Sequence, residues 1–414
     1  MYALETAVSF PASEPKSVTS APIRGLRTYL AVLRSPGAFV PAVGAALASV
    51  PIGMLGPSLL LLVQRRSGSF AAAGVVVAVL GVGAGVGMIV QGRLLDRVGP
   101  RRVLGASAAV RALASVAFVI AVGLQPPMAV LAVLAFMIGV SEPQVSSALR
   151  AMWPLLLRSD LLPAANAVSS MLFELPVVAG PLLLVLVAAV LPVEVAVLGA
   201  AGFAVTGAWM FARSSAAARR WVKRPPARGH GLLGPLAIPA VRGIVLVMSV
   251  PGMVLGIVQV SAAAAATAVG VAEQVGMFYA VLTAGSLLGT VLYGSRARPV
   301  AARWHLPALL IAQSGAVTLA AAAPGVGFLA ACVFGFGLFS GPVAVRCFID
   351  LERHAAQSPA AAITVVIAAA LAATSLGSAG AGWAVDVWGT PPTLLTGSGV
   401  LLVFAAGSLL RKSP

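Results

Sequence analysis

Apolar residues run through this chain in blocks separated by short polar breaks. A hydrocarbon core of about 30 Å needs roughly 20 apolar residues in helical form. Twelve blocks approach that length, at about 37–63, 71–91, 103–124, 128–149, 164–190, 193–212, 243–268, 274–295, 305–322, 326–346, 359–385 and 391–410. Gly and Pro recur inside them, as membrane helices tolerate. Many faces carry Gly and Ala, which let helices approach closely. The pattern predicts an all-α integral membrane protein of about twelve transmembrane helices.

The longest polar stretch lies in the middle. Residues 213–242 hold Arg219, Arg220, Lys223, Arg224, Pro225, Pro226 and Arg228, and divide a six-helix half at 37–212 from a second at 243–410. Residues 1–36 precede the first span and 411–414 follow the last. The start is too long and polar for a cleaved signal peptide. Gly25 to Arg34 mixes Leu26, Leu30 and Leu33 with Arg27 and Arg34, which suits a short helix lying on the inner membrane surface. The halves echo each other at an offset near 200. Ser49-Val50-Pro51 in span 1 matches Ser249-Val250-Pro251 in span 7. Gly139 before Pro143 in span 4 matches Gly337 before Pro342 in span 10. The echoes imply duplication and two pseudo-symmetric halves.

Composition agrees with the pattern. Of the 414 residues, 60% are hydrophobic and 9% charged, against about 25% charged in soluble domains. A net charge of +16 would suggest nucleic acid in a soluble chain. Here the Lys and Arg fall on alternate loops, on the side of both ends, with Arg65, Arg66 and Arg111 as exceptions. This is the positive-inside pattern, so it puts both termini in the cytoplasm. Arg65 and Arg66 read as headgroup contacts at the outer end of span 1. Cys332 and Cys347 share one apolar segment, with neither disulfide nor metal spacing. His230, His305 and His354 sit in loops or at helix ends, so no buried histidine relay is expected. No metal or other cofactor, no nucleotide-driven chemistry and no enzyme activity is implied.

One turn carries a specific signature. Between spans 2 and 3 the chain reads Gly92-Arg93-Leu94-Leu95-Asp96-Arg97-Val98-Gly99-Pro100-Arg101-Arg102. This resembles the loop between helices 2 and 3 of major facilitator superfamily transporters, G-x-x-x-D-R-x-G-R-R, with Gly92, Asp96, Arg97, Gly99, Arg101 and Arg102 matching and Pro100 extra. The resemblance implies two related six-helix halves around a midplane site, and a gate in which Asp96 docks near the start of helix 11. There Ser358-Pro359 forms a good N-cap, and a helix N-terminus attracts an anion. The other reading is that Asp96 pairs with Arg97 or Arg101 and shapes the turn. At the equivalent place in the second half stands Tyr293.

Five further charges lie in the spans or at their ends. Glu174 falls about 16 Å into span 5, near the midplane, with no basic residue within a turn. It is either a group that takes up and releases a proton or a protonated acid that bonds a neighbouring helix. Arg111 and Glu142 lie at similar depth on spans 3 and 4. They form either a structural salt bridge or part of a substrate or proton site. Arg346 and Asp350, four apart, are a solvated pair or a second gate contact. Gly180-Pro181 resembles the end of the efflux antiporter motif G-P-x-x-G-G, with Leu184 and Val185 in place of its last glycines. Pro51, Gly56-Pro57, Pro251 and Gly341-Pro342 are expected to bend helices around the cavity. Leu162 to Ala167 resembles a helix-capping stretch of bacterial efflux members. Gly382-x-x-x-Asp386-x-x-Gly389 copies the spacing of the first signature, but falls outside and reads as a helix-ending turn. Gln259 and Gln313 add little polarity to the later spans, so the cavity is expected to be largely apolar.

These features lead to an expected secondary transporter of the inner (plasma) membrane, resembling bacterial efflux-type members. It would act as a monomer and exchange protons for a small, largely apolar organic compound. The lipid bilayer is its partner, and nucleic acid is not. The alternatives are a proton-coupled importer of a small metabolite, or a transport-inactive sensor or assembly protein on the same fold.

Overall fold

The computed structural model describes residues 25–214, 234–294, 304–355 and 359–410. Among them the secondary structure is helical throughout. The helices are α1 (Gly25–Arg34), α2 (Phe39–Ser67), α3 (Phe70–Val98), α4 (Pro100–Leu124), α5 (Met128–Val140), α6 (Val145–Leu156), α7 (Leu162–Val190) and α8 (Val193–Arg213). The second half holds α9 (Pro239–Ala268), α10 (Val275–Gly294), α11 (His305–Ala321), α12 (Val326–His354), α13 (Pro359–Trp388) and α14 (Thr390–Leu410). Eleven stretches are long and apolar enough to cross a membrane, with α5 and α6 taken as one, and α11 is a shorter apolar helix. Together they make the twelve expected spans. Helix α2 begins, and α8 ends, on the face nearest the central segment, here called the linker face. The opposite end is the far face.

The fourth span departs from expectation. It is not one helix over 128–149: α5 stops at Val140 and α6 restarts at Val145. Pro143 lacks an N–H and clashes with the preceding turn, which breaks the ladder. The interruption frees carbonyls inside the membrane, where water cannot satisfy them. Gln91 of α3 meets this need, its Nε2 donating to the carbonyls of Val140 (2.8 Å) and Glu142 (2.9 Å). By contrast, α2, α7, α9 and α12 continue through Pro51, Pro57, Pro181, Pro251 and Pro342.

The duplication is written in the helix contacts. Helices α3 and α5 pack together as α10 and α12 do, and α4 with α8 as α11 with α14. Gly83 of α3 lies against Phe136 and Val140, while Gly285 of α10 lies against Phe334 and Leu338. Gly180 meets Val50 and Met54 of α2, and Gly377 of α13 meets Met253 of α9. Gly341 likewise abuts Ser286 and Thr290. At each place a side chain would collide with the facing backbone, so only glycine permits the approach.

The apolar packing shows where the halves join. One core cluster takes residues from both halves, including Leu59 to Val63, Phe118, Val254, Phe278, Phe336 and Leu401. Nearly all of it lies toward the far face. Toward the linker face the packing splits in two. One cluster, with Leu104, Trp153 and Phe211, belongs wholly to the first half. The other, with Val241, Val343 and Val366, belongs wholly to the second. The halves are joined at the far face and separate toward the linker face.

Candidate functional site

A cavity of about 170 Å³ lies where the halves part, between α7 and α10. Helix α7 contributes Phe173, Glu174, Val177 and Val178, and α10 contributes Thr283, Ser286, Leu287 and Thr290. Spacings of three and four put each set on one helix face. Deeper toward the far face the gap closes, since Gly276 of α10 sits against Pro181 and Val185 of α7. Thr283 Oγ1 donates to the Tyr279 carbonyl (2.7 Å) and Thr290 Oγ1 to that of Ser286 (2.9 Å). Both hydroxyls therefore keep lone pairs for accepting. Glu174 is exposed to this cavity and has no ion-pair partner among the described residues. It is the one ionisable side chain among the residues that line this cavity.

Arg111 and Glu142 form a separate cluster inside the first half. Arg111 is buried (1% exposed), with Nη1 3.9 Å from Glu142 Oε2. The same nitrogen donates to the carbonyl of Ile138 (3.2 Å). That carbonyl belongs to the last turn of α5, where a cation complements the helix dipole. Arg111 thus helps terminate the broken helix. Glu142 does not line the cavity that holds Glu174.

The charged turn is tighter than its sequence suggests. Helix α3 runs on to Val98, and only Gly99 separates it from α4. Gly99 takes φ 92°, a conformation that glycine adopts without strain, and Pro100 starts α4 with its fixed φ. Gly92 and Asp96 lie within α3. The Asp96 side chain, Ser358 and most of the central basic segment fall outside the described residues. Arg97, Arg101 and Arg102 are exposed. On the same face, Arg346 Nε donates to Asp350 Oδ2 at 2.8 Å.

The far face holds contacts missed by the sequence reading. Arg65 and Arg66, expected as headgroup contacts, form ion pairs within the protein. Arg65 Nη2 lies 3.1 Å from Glu273 of the second half, and Arg66 Nη2 lies 3.1 Å from Glu194. Asp386 is more than a turn residue. Its carboxylate accepts from Ser69 Oγ (2.8 Å) and from the backbone N–H groups of Phe70 (3.1 Å) and Ala71 (2.9 Å). The end of α13 thereby caps the start of α3, in the other half. The available signal was the repeat of the Gly-x-x-x-Asp spacing at 382–386. Below this cap Gly382 meets Phe70, and Gly74 meets Ser378.

Comparison with known proteins gives one family. The model described as Major Facilitator Superfamily matches residues 42–354. No curated protein matches the chain in sequence. The solved nucleoside transporter NupG is similar in fold, with TM-score 0.71 at 10% identity over 90% of this chain and 100% of that one. The human organic anion transporter MFSD10 (TETRAN) gives TM-score 0.63 at 17% identity over 92% and 99%. A bacterial homologue of the human lysosomal transporter Spinster, in an inward-facing, unoccupied conformation, gives 0.64 at 14% over 94% and 100%.

Proposed function

The chain belongs to the major facilitator superfamily, and from that premise we propose that it is a proton-coupled exporter of a small, largely apolar organic compound. It sits in the inner (plasma) membrane as a monomer with the linker face in the cytoplasm, as the distribution of Lys and Arg supports. The reading rests above all on Glu174, an acid at mid-membrane depth in the cavity between the halves, with no cation beside it among the described residues. Such a group binds a proton or a substrate, and releases one for the other as the cavity changes sides. The halves rock about the midplane. In the conformation described, the far face is closed and Asp386 caps α3. When the linker face closes, Asp96 reaches the first turn of α13 and Asp386 lets go. Arg111 and Glu142 are a structural pair that holds the broken fourth span.

The test uses inside-out vesicles that carry the protein and a pH-sensitive dye. The vesicles are energised and challenged with a panel of apolar amines, acids and neutral compounds. The expected result is partial collapse of the proton gradient by one compound class, and none in Glu174→Gln vesicles. Collapse that persists in Glu174→Gln would remove this residue as proton carrier. No response to any compound would overturn proton-coupled export.

A further inference from the structure

A second recess lies away from the cavity between the halves. It is a groove of about 640 Å³ between α4 and α8, at their linker-face ends. Arg101, in the first turn of α4, and Arg213, the last residue of α8, both line it. The guanidinium of Arg213 lies 4.8 Å from the centre of the Trp209 ring, a cation–π contact that holds it along the groove. The wall is small and apolar, with Gly105, Ala108 and Ala109. A Cβ added at Gly105 would meet no other atom within 4 Å, so the space next to it is open. Neither arginine has an acidic partner among the described residues.

The surroundings identify the medium. Val110, Leu113 and Val116 of α4, and Trp209 of α8, are exposed on the same helices. Such apolar exposure on spanning helices marks a lipid-facing surface, and Trp209 stands about one turn from the end of α8, as Trp does near membrane interfaces. An anion that meets two unpaired guanidinium groups here gains charge-assisted, bidentate hydrogen bonds. An apolar wall beside them has no use for a free anion, but suits an acyl chain. Basic recesses between membrane helices hold anionic lipid headgroups in this way.

We propose that the groove between α4 and α8 binds one anionic phospholipid, with its phosphate on Arg101 and Arg213 and an acyl chain along Gly105, Ala108 and Ala109. Arg101 of the charged turn therefore faces lipid rather than the gap between the halves. The site does not depend on the direction or coupling of transport.

The test is lipid retention by the full chain in detergent, read by native mass spectrometry. The protein is equilibrated with phosphatidylglycerol, phosphatidylcholine or free glycerol phosphate. Wild type is expected to keep one phosphatidylglycerol in clear preference to phosphatidylcholine, and glycerol phosphate should not displace it. The double variant Arg101→Gln/Arg213→Gln should retain phosphatidylglycerol about tenfold less well. Gly105→Leu keeps both charges, fills open space and should weaken retention as well. Equal retention of the two lipids would overturn the proposal, as would full retention by both variants. Displacement by glycerol phosphate would show an anion site without lipid specificity, and would overturn it too.

Discussion

Two seams join the halves, related by the internal repeat, and they differ. One runs between α3 and α13, the other between α7 and α10. The first is packed helix to helix from the cap at Asp386 through Gly382, Gly74 and Gly81. The second is tight at Gly276, then opens into the cavity of Glu174. Where the second seam has Thr283 the first has Gly81, and where α7 carries Glu174 the repeat puts Leu371 on α13. Duplication supplied the same pair of crossings, and substitution made one a close-packed joint and the other a wet cleft. The small residues decide how near the backbones come, and the polar residues decide what can enter.

The comparison can be broken first by size. Leu at Gly74 must displace the backbone of Ser378, and should cost about 1–3 kcal/mol. Leu at Thr283, which faces the cavity, should cost little. Thermal unfolding of the two variants in one detergent checks this, and equal losses would remove the claimed difference in packing. A smaller effect is expected from Asp386→Asn, which weakens a charged cap on α3 by about 1 kcal/mol. The far face should then open more often, seen as a longer distance between spin labels at the ends of α3 and α13. An unchanged distance distribution would show that the glycines alone hold that seam. The smallest effect belongs to Arg65→Ala. Its pair with Glu273 is half exposed, and such pairs contribute well under about 1 kcal/mol. Raising the salt should mimic Arg65→Ala in the same distance measurement and leave the Gly74→Leu defect unchanged.

The helical blocks and the charged turn were legible because both are local. Apolar runs set the spans, and Gly99-Pro100 sets the turn. The break in the fourth span had its signal in Pro143, but the apolar run before it hid the interruption. What stayed hidden were pairings distant in sequence. Glu273 lies 208 residues from Arg65, and Asp386 lies 315 from Ala71. Only the superposed halves bring them together. The direction of Glu174 was open for a related reason, since depth in a helix says nothing of which face meets the other half.

The single core that binds both halves at the far face carries a thermal consequence. In the alternating access proposed above, opening the far face wets part of that core, from Leu59 to Val63 and the residues of α9 and α10 against them. Hydrating apolar surface raises heat capacity. The balance between the two states should therefore follow a curved, not linear, van't Hoff plot, and cooling should weaken the far-face closure.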